Sequence, residues 1–328
     1  AAVRIALAEL GSQGVRQALA HVPGLEVLLP EDRLPEELLP EDSLAKAPEG
    51  GAALVHRLLL TVYQGSDNSG EVTRQAALGV ATAVGARHVE LAIGPLVKAY
   101  EALAEQVLER PLTWEQDDLA RQNIQARVRS PGIWLLANLE GRLLLSTSNR
   151  SEVGVGYATM DGDTSGGLAP IAGANKTFLR DWLRWMEHEG LPPLGPLPVL
   201  AAVNAQQPTA ELRPSQQAQE DEKDLMPYAL LDAIEQAAIR DRMSPLEVWH
   251  TLRARPVPGV VVSPRELAAR IATFFRLWSQ SQWKRERLAP SFHLDDENLD
   301  PRTWCRFPIL QGGFTHELAE LQAAVEGE

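Results

Sequence analysis

Two short runs concentrate positive charge in an otherwise acidic chain: Gln125-Ala126-Arg127-Val128-Arg129 and Trp283-Lys284-Arg285-Glu286-Arg287. Such side chains can pair with phosphate or carboxylate oxygens, arginine through two parallel N–H bonds, so a bound anion is to be sought there. Between the runs, Ser146-Thr147-Ser148-Asn149-Arg150-Ser151-Glu152 leads on to Gly162-Asp163. On spacing alone, Glu152 follows Asn149 by three residues and suits the reciprocal carboxylate of a helix N-cap. Thr147 suits the end of a strand, and Asp163 a turn after Gly162. Arg127 and Arg129 suit a solvated helix face, and Lys284 and Arg285 suit surface pairs with Glu286 or with Asp295-Asp296-Glu297. Zinc chemistry has weak support, because the seven histidines are scattered without a His-x-x-x-His pair and Cys305 is the single cysteine. Cys305 has no base near it in sequence and suits packing, as do Trp182 and Trp185 on one helix.

The elements that must position these residues alternate between strand and helix through most of the first 190 residues, the pattern of an α/β fold with a mainly parallel sheet. Residues 57–63 read as a buried strand, 64–70 as a polar turn and 71–84 as a helix; 88–93 is the next strand and 96–108 an amphipathic helix. A helix over 118–129 continues past Pro131. Residues 142–147 read as a third strand, ending where a ligand sits in an open sheet. The segment 29–51, rich in Pro, Glu, Asp and Gly, reads as a surface excursion. Ser244-Pro245-Leu246-Glu247 reads as an N-cap with proline at the first helical position. The expected organisation is one domain over 1–328, with an α/β core to 250 and a helical portion over 251–328.

The composition bounds the partners. Lys and Arg total 31 against 44 Asp and Glu, a net charge of −13, which repels a polyanion and argues against nucleic-acid binding. No apolar run approaches the roughly 20 residues that span a bilayer, and single-cysteine usage fits a reducing cytoplasm.

From Ser146 to Glu152 and on through Gly156-Tyr157-Ala158-Thr159-Met160-Asp161-Gly162-Asp163, the chain resembles the central signature of NAD synthetases. Asn123 to Arg129 resembles the family's arginine-bearing helix, and Gly173-Ala174-Asn175-Lys176-Thr177 its phosphate-binding lysine. Pro208-Thr209-Ala210-Glu211-Leu212 resembles its ATP-contacting loop, followed by Gln219-Glu220-Asp221-Glu222 and Leu225-Met226-Pro227-Tyr228. Trp283-Lys284-Arg285 resembles a basic pair near the C-terminus. The resemblance implies an adenine-nucleotide alpha-hydrolase-like fold with helices on both faces of the sheet, and ATP-dependent amidation of deamido-NAD to NAD. It places Thr147, Lys176 and Thr209 on ATP, Glu152 on Mg²⁺, and Arg127, Asp163 and Lys284 on deamido-NAD, with Lys176 and Glu152 carrying the catalysis.

Met160 and Gly167 stand where many ammonia-dependent members have Lys and Asp, so the sequence resembles the glutamine-dependent branch. In that branch an amidase domain supplies ammonia, and the synthetase domains pair as homodimers. The family's Ser-Gly-Gly-x-Asp-Ser pyrophosphate loop has no counterpart in the sequence, and residues 1–8 read as the tail of the helix that follows it. The chain by itself is therefore expected to have little activity, with Gln64 to Gly70 the first alternative cradle. The competing expectations are a non-catalytic dinucleotide-binding subunit and another ATP pyrophosphatase.

Overall fold

The computed structural model describes residues 2–23, 49–192, 194–214, 221–304 and 306–327. Its principal elements are α1 Ala2–Ala18, α2 Glu49–Leu58, β1 Leu60–Gly65, α3 Glu71–Val84, β2 Arg87–Ala92, α4 Gly94–Leu108, α5 Trp114–Glu140, α6 Arg150–Val155, α7 Lys176–His188, α8 Tyr228–Glu235, α9 Pro245–Ala254, α10 Pro264–Gln280, α11 Gln282–Arg285 and α12 Thr315–Glu326. They divide into two compact units, one of Ala1–Gly94 with Arg180–Gln207, the other of Pro95–Leu179 with Pro208–Glu328. No described helix is long and apolar enough to cross a membrane.

In the first unit β1 and β2 pair in parallel from Leu60↔Arg87 to Gly65↔Ala92, and α3 is the crossover between them. Gly85, at φ 76°, ends α3 in the left-handed conformation that glycine adopts without steric cost. The strand expected at 57–63 begins later because Arg57 and Leu58 complete α2. Leu58 packs with Leu7, Val15 and Leu54, so burial against α1 takes it into the helix. Positions 49–51 of the expected excursion are the first turn of α2, while 29–48 lie outside the described residues, as does Cys305.

In the second unit, α5 starts on Thr113, whose side chain accepts from Gln116 N–H at 3.3 Å, and runs through Pro131 to Gly141. The third expected strand is extended but makes only one parallel bridge, Leu145↔Leu168. Leu144, Ser146 and Ser148 are buried while Leu143, Leu145 and Thr147 are exposed, the period-two alternation of a strand without its ladder. The core joins Val153 and Val155 of α6 to Tyr228, Leu231 and Ile234 of α8, Trp249 of α9, and Ile271, Phe274 and Trp278 of α10. Ser244 and Glu247 form a reciprocal capping box at the start of α9, with Pro245 at its first turn. Trp182 is 40% exposed, so the expected core role of this side chain does not hold.

Candidate functional site

The site grows from the start of α6. Asn149 Oδ1 accepts from Glu152 N–H at 3.1 Å, and Asn149 N–H donates to Glu152 Oε2 at 3.3 Å. This capping box leaves Oε1 to face Lys176, whose Nζ lies 2.8 Å away. The ammonium also lies 5.5 Å from the centre of the Tyr228 ring. Beside it, buried Asp221 accepts from Tyr228 O–H at 3.1 Å and from Tyr157 O–H at 3.4 Å. Burial raises the Asp221 carboxyl above its ordinary value; Tyr228 and the charge of Lys176 oppose the rise, and the charge of Glu152 adds to it. Burial, followed by the charge of Asp221, raises both tyrosine hydroxyls, so they remain donors.

The residues after α6 form a second cluster. The chain leaves the helix at Gly156, whose φ of 66° favours glycine and where an added Cβ would lie 2.1 Å from Ser281 Oγ. Lys284 Nζ donates to Gly156 O and Ala158 O, both at 2.7 Å. Arg127 Nε donates to Met160 O at 3.1 Å, and Asp163 Oδ1 accepts from Thr159 N–H at 2.7 Å. Gly162 passes so close to α5 that an added Cβ would meet the Ala126 carbonyl carbon at 2.9 Å. Burial lowers the Lys284 ammonium; the charge of Asp163 opposes this and that of Arg127 adds to it. Crowding by the surrounding chain pushes Asp163 up to about 6, with solvent still reaching its side chain and tempering the effect. Two cations and a carboxylate thus surround one loop, an arrangement that can hold a polyanion.

The structure therefore brings Glu152 to Lys176 and Lys284 to Asp163, with Arg127 close enough for its charge to act on Lys284. Thr147 and Thr209 are exposed and stand outside the hydrogen-bonded clusters. The Thr209 hydroxyl accepts from Glu211 N–H at 3.2 Å, while neighbouring Pro208 O accepts from Asp221 N–H at 3.2 Å. Arg285 is not a surface cation. It is buried, donates to Gly154 O at 2.8 Å and Trp278 O at 2.7 Å, and lies 3.6 Å from the Trp278 ring centre. The acidic run instead serves Arg150, which reaches Asp295 and Glu297 at 2.8 Å each. Met160 is buried, in keeping with a packing role. In the first unit, the turn after β1 satisfies its own backbone: Ser66 N–H donates to Ser69 Oγ at 3.0 Å and Asn68 N–H to Ser66 Oγ at 3.3 Å. Asp221, Tyr157 and Tyr228 were within reach of the sequence only as an Asp and two Tyr in matched segments, because their meeting depends on tertiary packing.

Comparison with known proteins places this geometry in context. Residues 47–261 match the NAD synthase family. The glutamine-dependent NAD(+) synthetase of Synechocystis sp. is 32% identical over 273 residues, covering 82% of this chain and 43% of that protein. The Homo sapiens glutamine-dependent NAD(+) synthetase is 29% identical over 287 residues, covering 82% and 40%. A glutamine-dependent NAD(+) synthetase from Cytophaga hutchinsonii superposes with a TM-score of 0.79 at 41% identity, covering 97% of this chain and 48% of that one. The chain spans less than half the length of these relatives. The NMN synthetase of Francisella tularensis, at TM-score 0.51 and 19% identity, shares the fold. The α/β architecture is the adenine-nucleotide alpha-hydrolase fold of NAD synthetases. The chain belongs to the NAD synthase family.

Proposed function

We propose that this site converts the nicotinate carboxylate of deamido-NAD into the amide of NAD at the expense of ATP. Beyond family membership, one observation carries the reading: the Lys176 ammonium and Glu152 carboxylate are held 2.8 Å apart beside Asp221, with Arg127 of α5 and Lys284 of α11 bonded to carbonyls of the loop that follows α6. A carboxylate oxygen of the nicotinate attacks the α-phosphorus of ATP, and pyrophosphate leaves with the bonding electron pair. Ammonia then adds to the acyl carbon of the adenylate. AMP departs with the C–O electron pair, and loss of a proton from nitrogen leaves the amide. No protein nucleophile takes part, so the chain contributes positioning and charge neutralisation.

Lys176 supplies a compact positive charge toward the ATP phosphates, with the Thr147 and Thr209 hydroxyls available as donors from the exposed edges. Arg127 and Lys284 pair with the phosphates or nicotinate carboxylate of deamido-NAD, and Asp163 contributes a hydrogen-bond acceptor to the same ligand. Among the described residues, no group of three or more His, Cys, Asp or Glu could hold a metal ion by itself. Mg²⁺ takes one or two carboxylates and completes its shell with phosphate and water. Glu152 would hold it, with Asp221 as a second oxygen donor, and the bound ion would neutralise phosphate charge. As in the relatives' names, glutamine is the proposed source of ammonia.

A homodimer is also proposed. Leu96, Tyr100, Leu103 and Val107 recur along α4 at four-, three- and four-residue steps, and each is more than half exposed, a stripe that a second copy would cover. The function is tested by supplying the full-length protein with ATP, deamido-NAD, ammonium and Mg²⁺. NAD, AMP and pyrophosphate are expected in equal amounts; ADP and phosphate as products would overturn the reading.

A further inference from the structure

Asp232 lies on α8, facing the first turn of α7. One of its oxygens accepts the Ser151 O–H in a very short hydrogen bond, and the other accepts Thr177 N–H at 3.2 Å. Ser151 Oγ in turn accepts Lys176 N–H at 2.8 Å. Asn175 Oδ1 accepts Phe178 N–H at 2.7 Å, so three successive amides at the start of α7 are capped by side chains. Ser151 and Asp232 are both buried. An anionic carboxylate at this position also meets the positive end of the α7 dipole.

The consequence is local and directional. Ser151 precedes Glu152, and its hydroxyl binds the main-chain amide of Lys176. The separation of Lys176 and Glu152 is therefore set by a hydrogen bond one residue from the former's partner and on the latter's partner itself. Further clamps hold the same two segments: Arg150 N–H donates to Ala174 O at 2.8 Å, and Arg150 Nη1 donates to Gly173 O at 3.0 Å. Asp232 follows Tyr228 by four residues, so both occupy one face of α8. That face meets the start of α7 twice, with Asp232 at the Thr177 amide and, through Ser151, at the Lys176 amide, and with the Tyr228 ring 5.5 Å from the Lys176 ammonium.

We propose that Asp232 is a positioning residue: acting through Ser151, it fixes the Lys176 ammonium against Glu152 and thereby sets the rate of adenylation. This rests on the function proposed above. It assigns Asp232 no contact with ATP or deamido-NAD. An angstrom-scale displacement of a positioned charge costs on the order of a hundredfold in rate, so a partial release of Lys176 gives a measurable effect.

The test compares Asp232→Asn, Ser151→Ala, Lys176→Ala and the double variant Asp232→Asn/Lys176→Ala in the full-length protein. Steady-state pyrophosphate release is followed with ATP, deamido-NAD, Mg²⁺ and ammonium. Asp232→Asn is expected to lower kcat by about tenfold or more while KM for deamido-NAD stays within about twofold. In the Lys176→Ala background, the same substitution is expected to add less than about twofold, because residues acting as one unit are not additive. A general structural role would instead multiply the two losses. Unchanged kcat in Asp232→Asn, a parallel rise in KM, or multiplicative losses would each overturn the proposal.

If Asp232→Asn does not fold, Ser151→Ala decides, since it keeps the Asp232 carboxyl and removes the hydroxyl that links it to Lys176 N–H. The same kcat loss at constant KM supports the proposal, and full activity overturns it. A fully active Lys176→Ala overturns the site reading itself, whereas an impaired Lys176→Ala beside a normal Asp232→Asn overturns only the role of Asp232.

Discussion

Lys176 Nζ lies 2.8 Å from Glu152 Oε1 while the other oxygen of the same carboxylate caps its own helix at Asn149 N–H, 3.3 Å away. Glu152 thus has a structural face and a chemical face. The cap needs only an acceptor, which an amide also provides; the pairing with Lys176 and the holding of Mg²⁺ need the negative charge. Capping and the pairing with Lys176 thus coexist in one side chain, so the cap leaves the proposed Mg²⁺ role open to it.

Glu152→Gln therefore separates them. The melting temperature is expected to change little, because glutamine satisfies the capping box. Turnover measured across a magnesium titration is expected to fall by on the order of a hundredfold, the scale of losing one preorganised electrostatic group. Unchanged turnover would confine Glu152 to capping.

Arg127→Ala and Lys284→Ala are expected to weaken deamido-NAD more than ATP. Each removes a charge-assisted contact worth about 1.5–3 kcal/mol, so calorimetry should show roughly tenfold or greater loss. Lys284→Ala also releases the carbonyls of Gly156 and Ala158, so its effect should be the larger. Equal losses for both ligands would contradict the division of the site.

Arg150 and Glu235 form a buried pair at 3.0 Å, with Glu297 2.8 Å from the same guanidinium. Arg150→Ala leaves Glu235 and Glu297 without the guanidinium that both face and is expected to cost about 3–5 kcal/mol of stability in denaturant melts. Burial pushes Glu235 well above the ordinary value of 4.5, with Arg150 pulling the other way. The folded state thus holds this proton more tightly than the unfolded chain does. Its contribution is present below 4.5 and is lost as pH rises toward the raised folded value. Glu235→Gln should make stability less sensitive to rising pH across that window, and an unaltered pH dependence would count against the buried-acid account.

Leu103→Asp places a charge in the exposed stripe of α4. If that stripe is the dimer interface, sedimentation should report a monomer at concentrations where the parent protein is dimeric. A dimer that persists would place the interface elsewhere.

Much of the local structure was legible because its signals are local. The helix expected at about Glu71 to Val84 after a polar turn is found there, and the Ser244-Pro245 start follows from its capping chemistry. The start of β1 was misplaced because Leu58 is equally apolar in a strand or a helix, and only its packing on Leu54 and Leu7 decides. The extended segment 142–147 shows strand alternation, but pairing depends on Leu168, which spacing does not reveal. Within the site, Lys176 was identified by resemblance alone. Its pairing with Glu152 across 24 residues, and the link of Ser151 to Asp232 across 81, are products of tertiary packing. Arg285 was mistaken for a surface cation because nothing local announces that Trp278 and the Gly154 carbonyl enclose it.

In the proposed reaction a carboxylate oxygen of the substrate attacks the α-phosphorus. Deamido-NAD carrying heavy oxygen in its nicotinate carboxylate, turned over by the full-length protein with ATP and ammonium, tests it directly by mass spectrometry of the nucleotide product. One labelled oxygen should pass into AMP for each NAD formed, and Glu152→Gln should slow its appearance. NAD formed alongside unlabelled AMP, or label recovered in free phosphate, would contradict it.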